Sequence, residues 1–168
     1  MEAIIRNKVA ESGIITLNLE DFYPGDDLVF FDIKDYLFME MILKEKDFRE
    51  ALKTVNWQQF AGKQVGITCT ADAIIPLWAY MLVASYLYPV AAFVAAGTET
   101  EVRKRILINN INLIEVETYR DKRIVIKGCG DVNMGEEAYT EISRVLLPVV
   151  KSLMYGEPCS TVPVYKKK

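Results

Sequence analysis

GKQVGITCTADAIIPLWAYMLVASYLYPVAAFVAAG, residues 62–97, lies without a gap over DKRIVIKGCGDVNMGEEAYTEISRVLLPVVKSLMYG, residues 121–156, at an offset of 59. The shared positions are Lys63 with Lys122, Ile67 with Ile126, Asp72 with Asp131, Ala79-Tyr80 with Ala138-Tyr139, Leu87 with Leu146, Pro89-Val90 with Pro148-Val149, and Gly97 with Gly156. Each segment opens on a short β-branched run, Val65 to Thr68 and Ile124 to Lys127, which reads as a strand. A helical stretch follows. A second short strand, Ala92 to Ala95 or Ser152 to Tyr155, then ends at glycine. A strand-helix-strand unit written twice predicts parallel pairing with right-handed crossovers.

Between the copies, Thr98-Glu-Thr-Glu101 is a capping box that opens a helix through about Asn110. Upstream, Ile14 to Leu19 alternates apolar and polar side chains, a half-buried strand. Asp21 to Asp27 is a turn by its chemistry, with Pro24 presetting φ and Gly25 permitting a positive one. Leu28 to Ile33 reads as a second strand, hairpin-paired with the first. From Asp35 onward the period is helical, with a restart at Asp47 as N-cap. The expected fold is therefore α/β, a mainly parallel sheet from two βαβ-like internal repeats, preceded by an N-terminal β-hairpin. The length fits a single domain over 1–168. It divides into a hairpin and helix (1–46), repeat 1 (47–97), a linking helix with repeat 2 (98–156) and a C-terminal tail (157–168).

Composition narrows the function classes. A net charge of −3 gives no reason to expect nucleic acid, and the basic run Lys166-Lys167-Lys168 reads as a solvated, frayed end. Ala73 to Gly97 carries no charge and is long enough to raise the question of a membrane span. Its twin carries Glu136, Glu137, Glu141, Arg144 and Lys151, so both copies read as helices of a water-soluble fold, with no membrane partner. The first residues lack the apolar core of a secretory signal, so the expected location is cytoplasmic, with reduced thiols. There is no histidine, which excludes Ser–His and Cys–His catalysis and histidine metal ligands.

Ligands of open parallel sheets bind outside the carboxyl ends of the strands. Cys69 and Cys129 fall at two such ends, and Cys159 follows the last strand. Asp72, Asp131 and Glu157 stand alongside. Three readings stay open for the thiols. Cys69, Cys129 and Cys159 are candidate ligands of a metal, zinc by preference, completed by carboxylate or water. Cys129, between Gly128 and Gly130 before a helix, is a candidate reactive thiol. Burial as packing residues is the third. Asp72 and Asp131 fit loop or helix caps, and equally two carboxylates on one pocket. The glycine-rich run Gly128 to Gly135 resembles a phosphate cradle only weakly, since it lacks the P-loop lysine and is followed by Glu136 and Glu137. The first repeat helix is apolar nearly all round, the pattern of a helix covered on more than one side, so self-association as a homodimer is expected.

At ILKEKDFREA, ITCTADAIIPLWAYMLV, VIKGCGD and GEPCSTVPVYK the chain resembles a bacterial family catalogued as domain of unknown function 2480. The resemblance implies a soluble protein of about this length with no assigned activity, and it carries over no catalytic residue. The leading expectation is a binding protein or enzyme with a ligand, metal or thiol site at the strand ends around the cysteines. The alternative is a non-catalytic homo-oligomeric structural or interaction protein with buried cysteines.

Overall fold

Parallel strands take up the apolar runs, and the chain gathers them into two separate sheets. The computed structural model describes residues 13–127, 130, 132, 134–157 and 160–168. They form two compact units, one of Met1–Tyr23 with Leu107–Lys168 and one of Pro24–Ile106. In sequence the second interrupts the first, so we call them the split unit and the inserted unit.

The inserted unit runs β2 (Leu28–Asp32), a 3-10 turn η2 (Ile33–Tyr36), α1 (Glu45–Thr54), η3 (Trp57–Phe60), β3 (Gln64–Thr68), α2 (Leu77–Leu87) and β4 (Phe93–Ala96). Its sheet is ordered β2-β3-β4, all parallel. The split unit begins with β1 (Ile14–Leu17) and η1 (Leu19–Phe22). It resumes in α3 (Glu99–Asn112), η4 (Val116–Tyr119), β5 (Arg123–Ile126), α4 (Glu136–Leu146), β6 (Ser152–Glu157) and β7 (Ser160–Lys166). Its sheet is ordered β1-β5-β6-β7, parallel except for antiparallel β7. Helix α3 crosses the boundary between the units at Ile106 and Leu107. It opens as its capping box requires: Thr98 Oγ1 accepts from Glu101 N at 3.3 Å, and the Glu101 carboxylate accepts from Thr98 N at 2.8 Å.

Several elements of the two units recur at one spacing. η3 and η4, α2 and α4, and β4 and β6 all start 59 residues apart. Registers match too: Gln64 pairs Phe93 as Arg123 pairs Ser152. Leu28 pairs Gln64 as Ile14 pairs Arg123. Gly62 and Asp121 both take a left-handed φ, +70° and +56°. Their N–H groups donate to Val90 O at 2.9 Å and Val149 O at 2.8 Å.

Helices α1 and α2 cover one sheet face of the inserted unit, where Phe48, Leu52, Ala79, Val83 and Leu87 bury against Val65 and Ile67. Val102 and Ile106 of α3 cover the other face against Ala95 and Phe30. In the split unit, Leu107 and Ile111 of α3 join Ala138, Ile142 and Leu146 of α4 over Ile124, Ile126 and Leu153. A helix that buries residues in two cores needs apolar positions around more of its circumference than one stripe.

Three expectations are corrected. Strands β1 and β2 do not form a hairpin: β1 pairs in parallel with β5, and β2 with β3. The residues after each strand close a 3-10 turn rather than a hairpin return, because Asn18 and Asp32 accept from the N–H groups of Glu20 and Lys34. The helix expected from Asp35 begins only at Glu45, after Lys44 in the N-cap position, and Asp47 lies in its first turn. Met39 and Glu40 instead take left-handed φ angles in a tight loop closed by a bridge between Phe38 and Ile42. The C-terminal residues are not a frayed tail. They form edge strand β7, and Lys167 N–H donates to Lys151 O at 2.9 Å. Pro163 sits in this strand, at the sheet edge where a missing N–H is tolerated.

Candidate functional site

Parallel pairing sets the ends of β2 and β3 side by side, and Asp32 ties them. Its Oδ1 accepts from Lys34 N at 2.9 Å and Thr70 N at 3.1 Å, and its Oδ2 accepts from Thr70 Oγ1 at 2.5 Å. Burial alone would raise the Asp32 carboxyl, but the Thr70 hydroxyl and the two amides outweigh it and hold it below its ordinary value of 3.8. Cys69 lies next to this tie, half-buried against the inserted-unit core, with Sγ 3.7 Å from Ala71 O. Tyr80 of α2 completes the cluster. Its hydroxyl is pushed up by burial first and then by the neighbouring Cys69 and Asp32.

The split unit makes the corresponding tie with different chemistry. Asn18 caps η1, and Glu20 Oε1 accepts from Val132 N at 2.8 Å. A Cβ at Gly130 would run into that Glu20 carboxylate. Gly130 therefore makes room for an acid, which would repel a phosphate.

Of the residues expected at a site, Cys69 stands at a strand end as anticipated. Asp72 is exposed in the loop before α2 and does not cap it, since Pro76 holds the N-cap position without a side-chain bond. Glu157 closes β6, half-buried, opposite Ser160 at the turn into β7. Cys129, Asp131 and Cys159 lie outside the described residues. Among the described residues no group of three or more Cys, Asp or Glu is placed to hold a metal ion. Asp32 and Tyr80 were not singled out from sequence. The signal for Asp32 was present, an Asp directly ahead of a short turn, the capping position that Asn18 also fills.

Carboxylates held low by hydrogen bonds, Asp32 among them, favour the folded state at neutral pH. Glu141 is the strongest case in the split unit: hydrogen bonds from Arg144 first and Asn112 second hold it at about 2, against an ordinary 4.5. A group lowered on folding contributes stability above its unfolded pKa and loses it as pH falls through the folded value. Stability should therefore decline from about pH 4.5 toward 2. Chemical denaturation at stepped pH should show a shallower acid limb for Asp32→Asn, and an unchanged slope would refute the role of Asp32.

The carboxyl end of the inserted unit is also where apolar side chains meet solvent. Leu37 and Leu43 turn inward, leaving Phe38, Met39, Met41 and Ile42 at 48–73% exposure. Beside α2, Ile75 and Trp78 pack inward while Ile74, Leu77 and Met81 stand 74–95% exposed. Helix α2 is thus apolar all round but covered on one side only. No helix among the described residues is long and apolar enough to cross a membrane.

Comparison with known proteins gives one match. The family model described as "Protein of unknown function (DUF2480)" matches residues 3–167. No curated protein and no solved structure matches the chain.

Proposed function

The chain belongs to the DUF2480 family of proteins of unknown function, and we propose that it is a non-catalytic binding protein that pairs with a second copy of itself. We further propose that it consists of two copies of one parallel α/β module. The equal spacing of elements, the equal strand registers and the matched left-handed turns at Gly62 and Asp121 support the duplication.

The observation that carries self-association is the apolar surface at the carboxyl end of the inserted unit. Seven large side chains, at on the order of 100 Å² each, offer roughly 700 Å², close to the ~800 Å² that one partner gives a standard interface. Charge favours a second copy as the occupant. Residues 34–49 hold Lys34, Lys44, Lys46 and Arg49 against Asp35, Glu40, Glu45 and Asp47, and Asp72 adds one negative charge beside Ile74, so two copies meet with little net repulsion. A membrane surface or nucleic acid would call for a basic rim. Cys69 favours the packing role over a thiolate metal site, since its Sγ faces a main-chain carbonyl at the edge of an apolar core.

Sedimentation of the full chain at about 50 μM should give a dimer, and Met81→Glu or Ile42→Glu should give a folded monomer, as expected when a charge enters a dry interface. A monomeric wild type, dimers unaffected by both changes, or binding to neutral lipid vesicles in place of dimerisation would overturn the proposal.

A further inference from the structure

The split unit differs from the inserted unit in one respect that has a use. Strand β7 extends its sheet beyond β6. Between Leu153 and Met154 the register of β6 with β7 slips: Leu153 pairs Tyr165, Met154 pairs Pro163, and Val164 is the extra residue. Helix α4 covers β5 and β6, leaving a cavity of about 260 Å³ between its first turns and the β6–β7 step. Ile126, Ile142 and Leu153 form its floor, each at most 3% exposed. Tyr139 and Tyr155 stand at its side, edge to face, with ring centroids 5.7 Å apart and planes at 71°. Val164 stands at the rim.

We propose that this cavity is a binding site for a small, uncharged molecule carrying one aromatic ring. Four observations favour that ligand class. The size is right: a dry cavity of ~150 Å³ already holds benzene. No charged side chain is among the lining residues, so an ion entering would lose its hydration without a counter-charge. The tyrosine pair offers aromatic edges and faces, the geometry that a third ring joins most readily. The one small polar group, Ser143 Oγ, donates to Tyr139 O at 2.7 Å and so keeps lone pairs to accept a single hydrogen bond, from an N–H or O–H of the ligand.

The inserted unit makes the contrast. At the positions matching Ser143, Met154 and Tyr155 it has Ala84, Ala95 and Ala96, and no strand follows β4 in its sheet. The site is therefore built from residues in which the two units differ, and it does not depend on self-association.

The test is calorimetric and NMR titration of the full chain with indole and, separately, with toluene, reading the Met154 methyl resonance. We expect saturable binding with a dissociation constant of roughly 10–1,000 μM, indole ahead of toluene because of its N–H. Ser143→Leu, which fills the cavity from α4, should weaken binding at least tenfold. Val164→Phe, which narrows the mouth from the edge strand, should do the same and serves if the first variant fails to fold. Met81→Glu should bind as wild type. Absence of saturation with both probes, or equal binding by a folded Ser143→Leu or Val164→Phe protein, would overturn the proposal.

Discussion

Gly66→Val should destabilise the protein by about 3 kcal/mol, near the upper end of ordinary overpacking. Gly66 lies mid-strand in β3, opposite Phe30 of β2. A Cβ there would run into the Phe30 ring and come within 3.1 Å of Val102 Cγ1. The ring cannot simply swing aside, because it packs with Ala95, Val102 and Ile106 over the second sheet face. The split unit solves the same position the other way round, setting Thr16 opposite Val125. The double variant Phe30→Thr with Gly66→Val installs that pair, and it should recover a good part of the loss. Guanidinium unfolding of the four proteins of the cycle gives the coupling directly. Additive effects would mean that the ring and the glycine are not partners, and would remove one support for the duplicated module.

Phe31→Ala should be costlier still, about 3–5 kcal/mol, the range for emptying a buried phenylalanine site. Phe31 is 4% exposed and lies between two parallel rings, Tyr36 at 5.3 Å and Trp57 at 5.4 Å. Trp57 in turn stacks on Tyr86 at 4.9 Å and donates from Nε1 to Leu52 O at 2.9 Å. Removing Phe31 opens the middle of this stack, and Trp57, fixed by its hydrogen bond and by Tyr86, cannot close over the gap. Both tryptophans of the chain, Trp57 and Trp78, lie in the inserted unit. Tryptophan fluorescence during denaturation should therefore report this loss first. A midpoint shift worth less than about 1 kcal/mol would show that the site collapses and that the stack adds little.

The parts that sequence made legible are those in which local pattern and tertiary role agree. The strand-helix-strand spacing placed β3, β4, β5 and β6 to within a residue or two and put a helix inside each pair, and the capping box placed the start of α3. Strand partners were not legible. The alternation of Ile14 to Leu19 says that one face is buried, but parallel and antiparallel neighbours bury it equally well. The stretch from Leu37 to Leu43 has a helical apolar period, yet four of its six large apolar side chains face water, where their spacing no longer reports a core. Strand β7 was hidden by Pro163 and by its exposed polar residues. At the site, the cysteines drew attention through their position. Asp32 does the tying through a three-bond arrangement that depends on Thr70, distant in sequence.

The interruption of one unit by the other sets an order of events during synthesis. All of the inserted unit lies in one stretch, Pro24–Ile106, and leaves the ribosome complete. Strand β1 emerges earlier but pairs with β5, roughly a hundred residues later, so closing its sheet is entropically the slower step. Until then β1 presents an unpaired, apolar edge on the nascent chain. Every strand partner of the inserted unit is available in that interval, before β5 emerges.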